Sequence, residues 1–332
     1  MAFWLDIAAF ALKALLIVAA VGAVAVIVAL MARGSRGERQ DLEIKSLDDR
    51  YDDDEAQIRS EILDKKGRKA FIKSRKAEKK ATPPDKRVFV LRFKGDIGAS
   101  AVGRLGREVD TVLSVARPGV DEVVTRLESP GGTVTGYGLA ASQLRRVTER
   151  KVRLTICVDQ VAASGGYMMA CVADRILAAP FAIVGSIGVV AQVPNVSKLL
   201  KKNDIDYEEI TAGEFKRTIS MFGEITPAGR EHFKDKLDAM HGAFKRFVAQ
   251  NRPKVDVELL GNGDIWLASE ALALGLVDEL STADDYLFRM RKSARLYEVS
   301  LPAKRARWIQ QFLGAVGITD LLAKTRGPRF LA

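Results

Sequence analysis

From Ala14 to Ala32 the chain reads ALLIVAAVGAVAVIVALMA, without one charged side chain. At ~1.5 Å rise per residue a helix of this length spans about 28 Å, close to the ~30 Å hydrocarbon core of a bilayer. A helix in a soluble core would keep a polar face, and none exists here. The run is long for the apolar part of a cleaved leader, and no clear small-x-small cleavage site follows it. Phe3 and Trp4 stand where interfacial aromatics anchor a span, and Lys13 is placed to snorkel to the surface. Residues 1–32 are therefore expected to form an uncleaved transmembrane anchor. Everything after them is then tethered to one face of a membrane.

The next stretch has a different composition. Residues 33–86 carry an acidic cluster (Asp48, Asp49, Asp52, Asp53, Asp54, Glu55), then a basic one from Lys65 to Lys80, and close on Pro83-Pro84. So little apolar surface cannot pay for folding, and the segment reads as a tether, partly helical at most. Its cations could meet anionic lipid headgroups; a solvated spacer is the plainer reading. No aromatic platform is interleaved with the lysines, so nucleic acid is not an expected partner. Arg33, Arg36 and Arg39 follow the apolar run directly. By the positive-inside tendency they would put the rest of the chain in the cytoplasm.

From about Arg87 the text becomes globular, leaving room for one sizeable domain (87–301) within the 332 residues. Short β-rich runs at Val88–Phe93, Glu122–Leu127 and Val152–Val158 alternate with helical patterns, including Gly136–Lys151 with Leu139, Leu144 and Val147. That order predicts a parallel α/β fold. The chain has only two cysteines, Cys157 and Cys171, which excludes a disulfide-stapled scaffold or a Cys-rich zinc module. Its two histidines, His232 and His241, both fall in a charged helical stretch from Ala228 to Asn251 and read as surface residues. Base chemistry at neutral pH must then fall to another residue type.

Two junctions after strands carry a chemical signal. Ser129-Pro130-Gly131-Gly132-Thr133-Val134 offers paired glycines whose N–H groups could approach a ligand with no Cβ in the way, although a tight turn would use the same residues. In Ala162-Ala163-Ser164-Gly165-Gly166-Tyr167, Ser164 falls where a strand hands over to a helix. There it could be a helix cap, or a nucleophile beside N–H groups suited to a developing oxyanion. A serine nucleophile needs a proton acceptor, and a lysine is a recognised alternative to histidine if its environment keeps it neutral. Lys216, in Ala212-Gly213-Glu214-Phe215-Lys216-Arg217-Thr218, is the candidate, although most lysines are merely solvated.

The set S-P-G-G-T-V, A-A-S-G-G-Y-M-M-A, V-G-S-I-G-V (184–189) and A-G-E-F-K-R-T resembles the signal peptide peptidase A family of membrane serine proteases. The likeness continues through G-E-I-T-P-A-G-R-E (223–231) to G-L-V-D-E-L (275–280). The resemblance implies Ser164 as nucleophile, Lys216 as general base and Ser186 as the residue that orients the lysine. It implies oxyanion donors at Gly132 and Gly165, with Gly131 a further candidate. It also implies a ClpP/crotonase-type fold of stacked β-β-α units, no metal or organic cofactor, and a homo-oligomeric ring. Its substrates would be peptides, such as signal-peptide remnants or other membrane-derived or misfolded polypeptides. An inner-membrane location follows, with the domain on the periplasmic side by resemblance and the cytoplasmic side by the arginine count.

Residues 302–332 form a tail in which Trp308, Phe312, Val316 and Leu321 alternate with Arg305, Arg307, Lys324 and Arg326, the pattern of a basic amphipathic helix. Two rival functions stay open at this level: a membrane scaffold that keeps a protease fold without turnover, and a crotonase-like acyl-CoA enzyme.

Overall fold

The central strands of this chain are apolar on both faces, so they must be covered on both. In the computed structural model, which describes residues 42–78 and 84–301, strand β2 (Arg87–Lys94) points Val88 and Val90 to one side. Phe89, Leu91 and Phe93 point to the other. That alternation is the period of a pleated strand. Strands β3 (Glu122–Glu128) and β4 (Arg153–Val158) are almost wholly buried along their length. This is the signature of a parallel sheet sandwiched between helices.

Seven strands form the main sheet, in the order β1-β10-β2-β3-β4-β6-β9, with β1 at Glu43–Ser46, β6 at Arg175–Ala178, β9 at Glu279–Leu280 and β10 at Arg295–Ser300. From β10 through β9 the neighbours run parallel; Phe89 pairs with Val123, and Val123 with Leu154. The Phe89 face packs against α3 (Val102–Leu113) and α4 (Val134–Glu149), whose Leu105, Val109, Val112, Leu144 and Val147 are buried. The opposite face packs against α10 (Ala283–Met290) through Tyr286 and Leu287. The expected strands and the helix over 136–151 agree with these elements to within about two residues. A second sheet, in the order β5-β7-β8, is small: β5 (Val161–Ala163) pairs parallel with β7 (Ile183–Gly185), which pairs antiparallel with β8 (Ile265–Leu267). Residues 44–300 make up one compact unit.

The charged stretch, expected to be a tether and partly helical at most, is helical over much of its length and is in part docked. It contains two helices, α1 (Leu47–Ile62) and α2 (Lys65–Glu78), and α1 docks on the domain. Leu47 is buried with Leu296 and Leu287, and Tyr51, one turn on, meets Phe288 edge to face. The acidic residues have specific partners: Asp48 accepts the Leu296 N–H at 2.8 Å, and Asp52 pairs with Arg291. The two anchors, spaced i, i+4, share one face of a helix whose other positions are mostly charged or polar. Among the described residues no helix is long and apolar enough to cross a membrane. The expected anchor at 1–32 and the amphipathic tail at 302–332 lie outside the described residues.

Candidate active site

Ser164 occupies the turn between β5 and a six-residue helix, α5 (Gly165–Ala170), with φ 53° and ψ −119°. A non-glycine residue there costs of order 1–3 kcal/mol, which surrounding contacts must supply. They are present: the Ser164 N–H donates to the Gly185 carbonyl at 2.8 Å, and the Met168 N–H donates back to the Ser164 carbonyl at 2.9 Å. The serine side chain makes no capping bond to the helix that it precedes. The cap reading of Ser164 therefore has no side-chain bond behind it. Because α5 is so short, electrostatic help comes from individual N–H groups more than from a helix dipole.

Those N–H groups come from two loops laced together. The Ser129 N–H donates to Val161 and the Ala163 N–H to Ser129, so the turn after β3 is tied to the strand that delivers Ser164. Gly131, at φ 93°, lies so near that a Cβ on it would stand 2.7 Å from the Ser164 Cβ and 2.9 Å from the Gly165 nitrogen. The Gly131 N–H is already committed to Ser129 Oγ at 3.1 Å. This removes Gly131 from the expected oxyanion donors, because its hydrogen points into the loop. Gly132 is exposed, and its N–H, like that of Gly165, has no hydrogen-bond partner among the described residues. A Cβ on Gly132 would lie 2.1 Å from the Ile97 carbonyl oxygen, so only glycine fits.

Ser186 follows β7 at φ 52°, its N–H donating to the Asp264 carbonyl at 2.6 Å. Gly185 beside it, at φ 97°, lies against Trp266. Through the Ser164–Gly185 bond, Ser164 and Ser186 belong to one backbone assembly. His241, expected to be a solvated helix residue, instead donates from Nε2 to the Ile187 carbonyl at 3.0 Å and so braces the Ser186 turn from α7 (Pro227–Asn251). No sequence pattern announces that contact.

Lys216 is placed differently. It is exposed on the irregular segment between α6 (Ser197–Lys202) and α7, and no hydrogen bond or ion pair links it to Ser164 or Ser186. Its segment is fastened elsewhere. Phe215 stacks on His232 with centroids 3.9 Å apart, and Asn195 Nδ2 donates to the Ser220 and Gly223 carbonyls. Large apolar side chains stand open nearby in sequence, including Val190 (80% exposed), Ile210 (88%), Met221 and Phe222.

A strained serine below two free glycine N–H groups on an α/β scaffold is a geometry shared by many acyl-transfer enzymes. The comparisons narrow that class. Residues 146–297 match Peptidase family S49, and residues 2–144 match Peptidase family S49 N-terminal. The chain belongs to peptidase family S49. Its relatives include the probable protease SohB of Haemophilus influenzae, 52% identical over 66% of this chain and 62% of that protein. The putative protease SohB of Buchnera aphidicola (subsp. Baizongia pistaciae) is 46% identical over 76% of this chain and 77% of its own. Identity to Protease 4 of the same Haemophilus falls to 28%, over 53% of this chain and 30% of that one.

Proposed function

We propose that this protein is a membrane-anchored serine endopeptidase in which Ser164 is the nucleophile and Lys216 the general base. Ser186 orients the lysine, and the N–H groups of Gly132 and Gly165 bind the oxyanion. The observation that carries this reading is the uncapped Ser164 hydroxyl, held at φ 53° beside two unpartnered glycine N–H groups. The second sheet, in which Ser164 and Ser186 each follow directly on one of two adjoining strands, supports the ClpP/crotonase-type architecture.

In the reaction, Ser164 Oγ attacks a peptide carbonyl while neutral Lys216 takes the serine proton. The carbonyl oxygen becomes an oxyanion facing Gly132 and Gly165; one such donor is typically worth ~10²–10³ in rate. Protonated Lys216 passes its proton to the leaving amine, and a water activated by the same amine releases the acyl group. A lysine can act this way only when neutral, which desolvation or a cationic neighbour can bring about. In a single copy Lys216 is exposed. A homo-oligomer would supply the missing step if its contacts cover the segment that carries Lys216, where Ile210 and Met221 are exposed as well. The substrates are peptides from membrane-inserted or misfolded chains, and the enzyme sits at the bacterial inner membrane through residues 1–32.

The test is hydrolysis of a quenched apolar peptide by the detergent-solubilised full chain from pH 6 to 10, beside Ser164→Ala and Lys216→Ala. The expected result is turnover that falls at least ~10³-fold in both variants and coincides with fluorophosphonate labelling of Ser164. Turnover that survives in either variant refutes the assignment. A folded, oligomeric wild type without turnover would favour a scaffold, and an acyl-CoA thermal shift without peptide cleavage would favour crotonase-like chemistry.

A further inference from the structure

Below the proposed oxyanion donors lies a chain of hydrogen bonds whose direction can be worked out. The Tyr137 hydroxyl has one proton, and it goes to the Asp96 carbonyl at 2.9 Å, which can only accept. The Ser129 hydroxyl, 2.6 Å from the phenol oxygen, must therefore donate to it. Ser129 Oγ then keeps a lone pair for the Gly131 N–H at 3.1 Å. The bonds run one way, from Gly131 through Ser129 and Tyr137 to Asp96, and every hydrogen is used. Ser129 and Tyr137 are fully buried, where an unsatisfied hydroxyl would be costly, so this arrangement has few alternatives.

The same tyrosine touches the other donor. A Cβ on Gly165 would lie 2.4 Å from the Tyr137 Cγ, so the Gly165 backbone rests directly on the ring. Gly166 lies as close to the Ser129 carbonyl, where a Cβ would be 2.5 Å away. At the exit of β2, Gly95 leaves room for the pair, since a Cβ there would be 2.3 Å from both hydroxyl oxygens. On the far side of Gly132, the Thr133 N–H donates to the Ile97 carbonyl at 2.8 Å, in a loop that Asp96 closes by accepting from the Ser100 N–H. The free N–H of Gly132 is thus pinned at the residue before it and at the residue after it.

We propose that Tyr137 is the positioning residue of the oxyanion hole: its hydroxyl aims the Gly132 N–H through Ser129 and Gly131, and its ring seats the Gly165 N–H. This inference rests on the reading of Ser164 as nucleophile. It adds a residue to the reaction that touches neither substrate nor the reacting atoms. Because Gly132 and Gly165 act on charge that develops only in the transition state, misaiming them lowers kcat and leaves ground-state binding alone.

The experiment measures kcat and KM for a quenched peptide, and the inhibition constant of a peptide aldehyde, whose hemiacetal oxygen sits where the oxyanion forms. The full chain in detergent is compared with Tyr137→Phe, Ser129→Ala, Ser164→Ala and Val147→Ala. Tyr137→Phe keeps the ring and removes one oxygen. Its kcat is expected to fall about 10- to 100-fold, part or all of what one donor is worth. KM stays within about two-fold, and aldehyde affinity weakens by the same factor as kcat/KM. Ser129→Ala moves in the same direction. Val147→Ala, buried on the same helix but outside the hydrogen-bond chain, lowers the melting temperature without changing aldehyde affinity. A kcat loss in Tyr137→Phe with unchanged aldehyde affinity overturns the proposal. If Tyr137→Phe does not fold, Ser129→Ala with wild-type kcat and aldehyde affinity overturns it instead. Peptide hydrolysis by Ser164→Ala would refute the nucleophile itself. A dead Ser164→Ala beside an unaffected Tyr137→Phe refutes the positioning role alone.

Discussion

The two halves of the proposed dyad sit in opposite physical settings. Ser164 is strained, backed by buried strands, and bonded through its own backbone to Gly185 and Met168. Lys216 is exposed on an irregular segment, held by a ring stack and a few loop hydrogen bonds. The difference shows where the site's energy is stored. The half around Ser164, proposed nucleophile and oxyanion donors together, is preorganised within one folded chain and needs no reorganisation when charge develops. The basic half stays adjustable, and its activation depends on whatever excludes water from it.

The contrast breaks most easily at Gly132. In Gly132→Ala the new methyl collides with the Ile97 carbonyl 2.1 Å away, so the loop must shift and one donor is lost. Peptide hydrolysis should drop at least ~10²-fold while KM changes little. A kcat close to wild type would mean that the rigid half is not rigid.

A smaller effect is expected at the other end of the same strand. Glu122 is buried, accepts hydrogen bonds from Thr155 and Tyr286, and pairs with Lys86. Burial alone would raise its carboxyl, but the hydrogen bonds from Lys86, Thr155 and Tyr286 outweigh that and hold it below the ordinary 4.5. A depressed carboxyl contributes stability above its unfolded value and loses it as pH falls through the folded one. Glu122→Gln should therefore cost about 2 kcal/mol in urea denaturation at pH 7. The gap to wild type should close as pH falls from the ordinary 4.5 through the lower folded value. A gap independent of pH would show that shape, not charge, is what Glu122 supplies.

The smallest change belongs to the adjustable half. Phe215→Ala removes the stack on His232 from a partly exposed surface, and should lower unfolding stability by only about 0.5–1 kcal/mol. A loss like that of a core residue would show the lysine segment to be part of the folded body, and would erase the contrast.

The sheet was legible because its strands announce themselves locally. Runs such as Val88–Phe93 and Glu122–Leu127 are rich in β-branched or aromatic residues and lie between breakers. Ser164 was legible for a similar reason, as a small-residue junction just after a strand. The docking of α1 was not, because its anchors are two residues, Leu47 and Tyr51, within a run of charge. Asp48 and Asp52 find partners more than 200 residues away. The Tyr137 chain was hidden likewise: Asp96, Ser129 and Tyr137 are unremarkable in their own segments, and only the fold brings the three oxygens together. His241 followed the same rule, since a helix that looks solvated can keep one side chain turned inward.

The position of β10 bears on how the molecule is made. The strand lies between β1 and β2, and pairs Arg295 with Arg87 about 200 residues later in the chain. At ~5–20 residues per second of synthesis, β2 must wait roughly 10–40 s for its neighbour. Throughout that wait its apolar edge is open to wrong pairing. When β6 has been made, β2 to β6 can already pair, but both outer edges of that group stay open, one until β9 at Glu279–Leu280 and the other until β10 at Arg295–Ser300 has emerged.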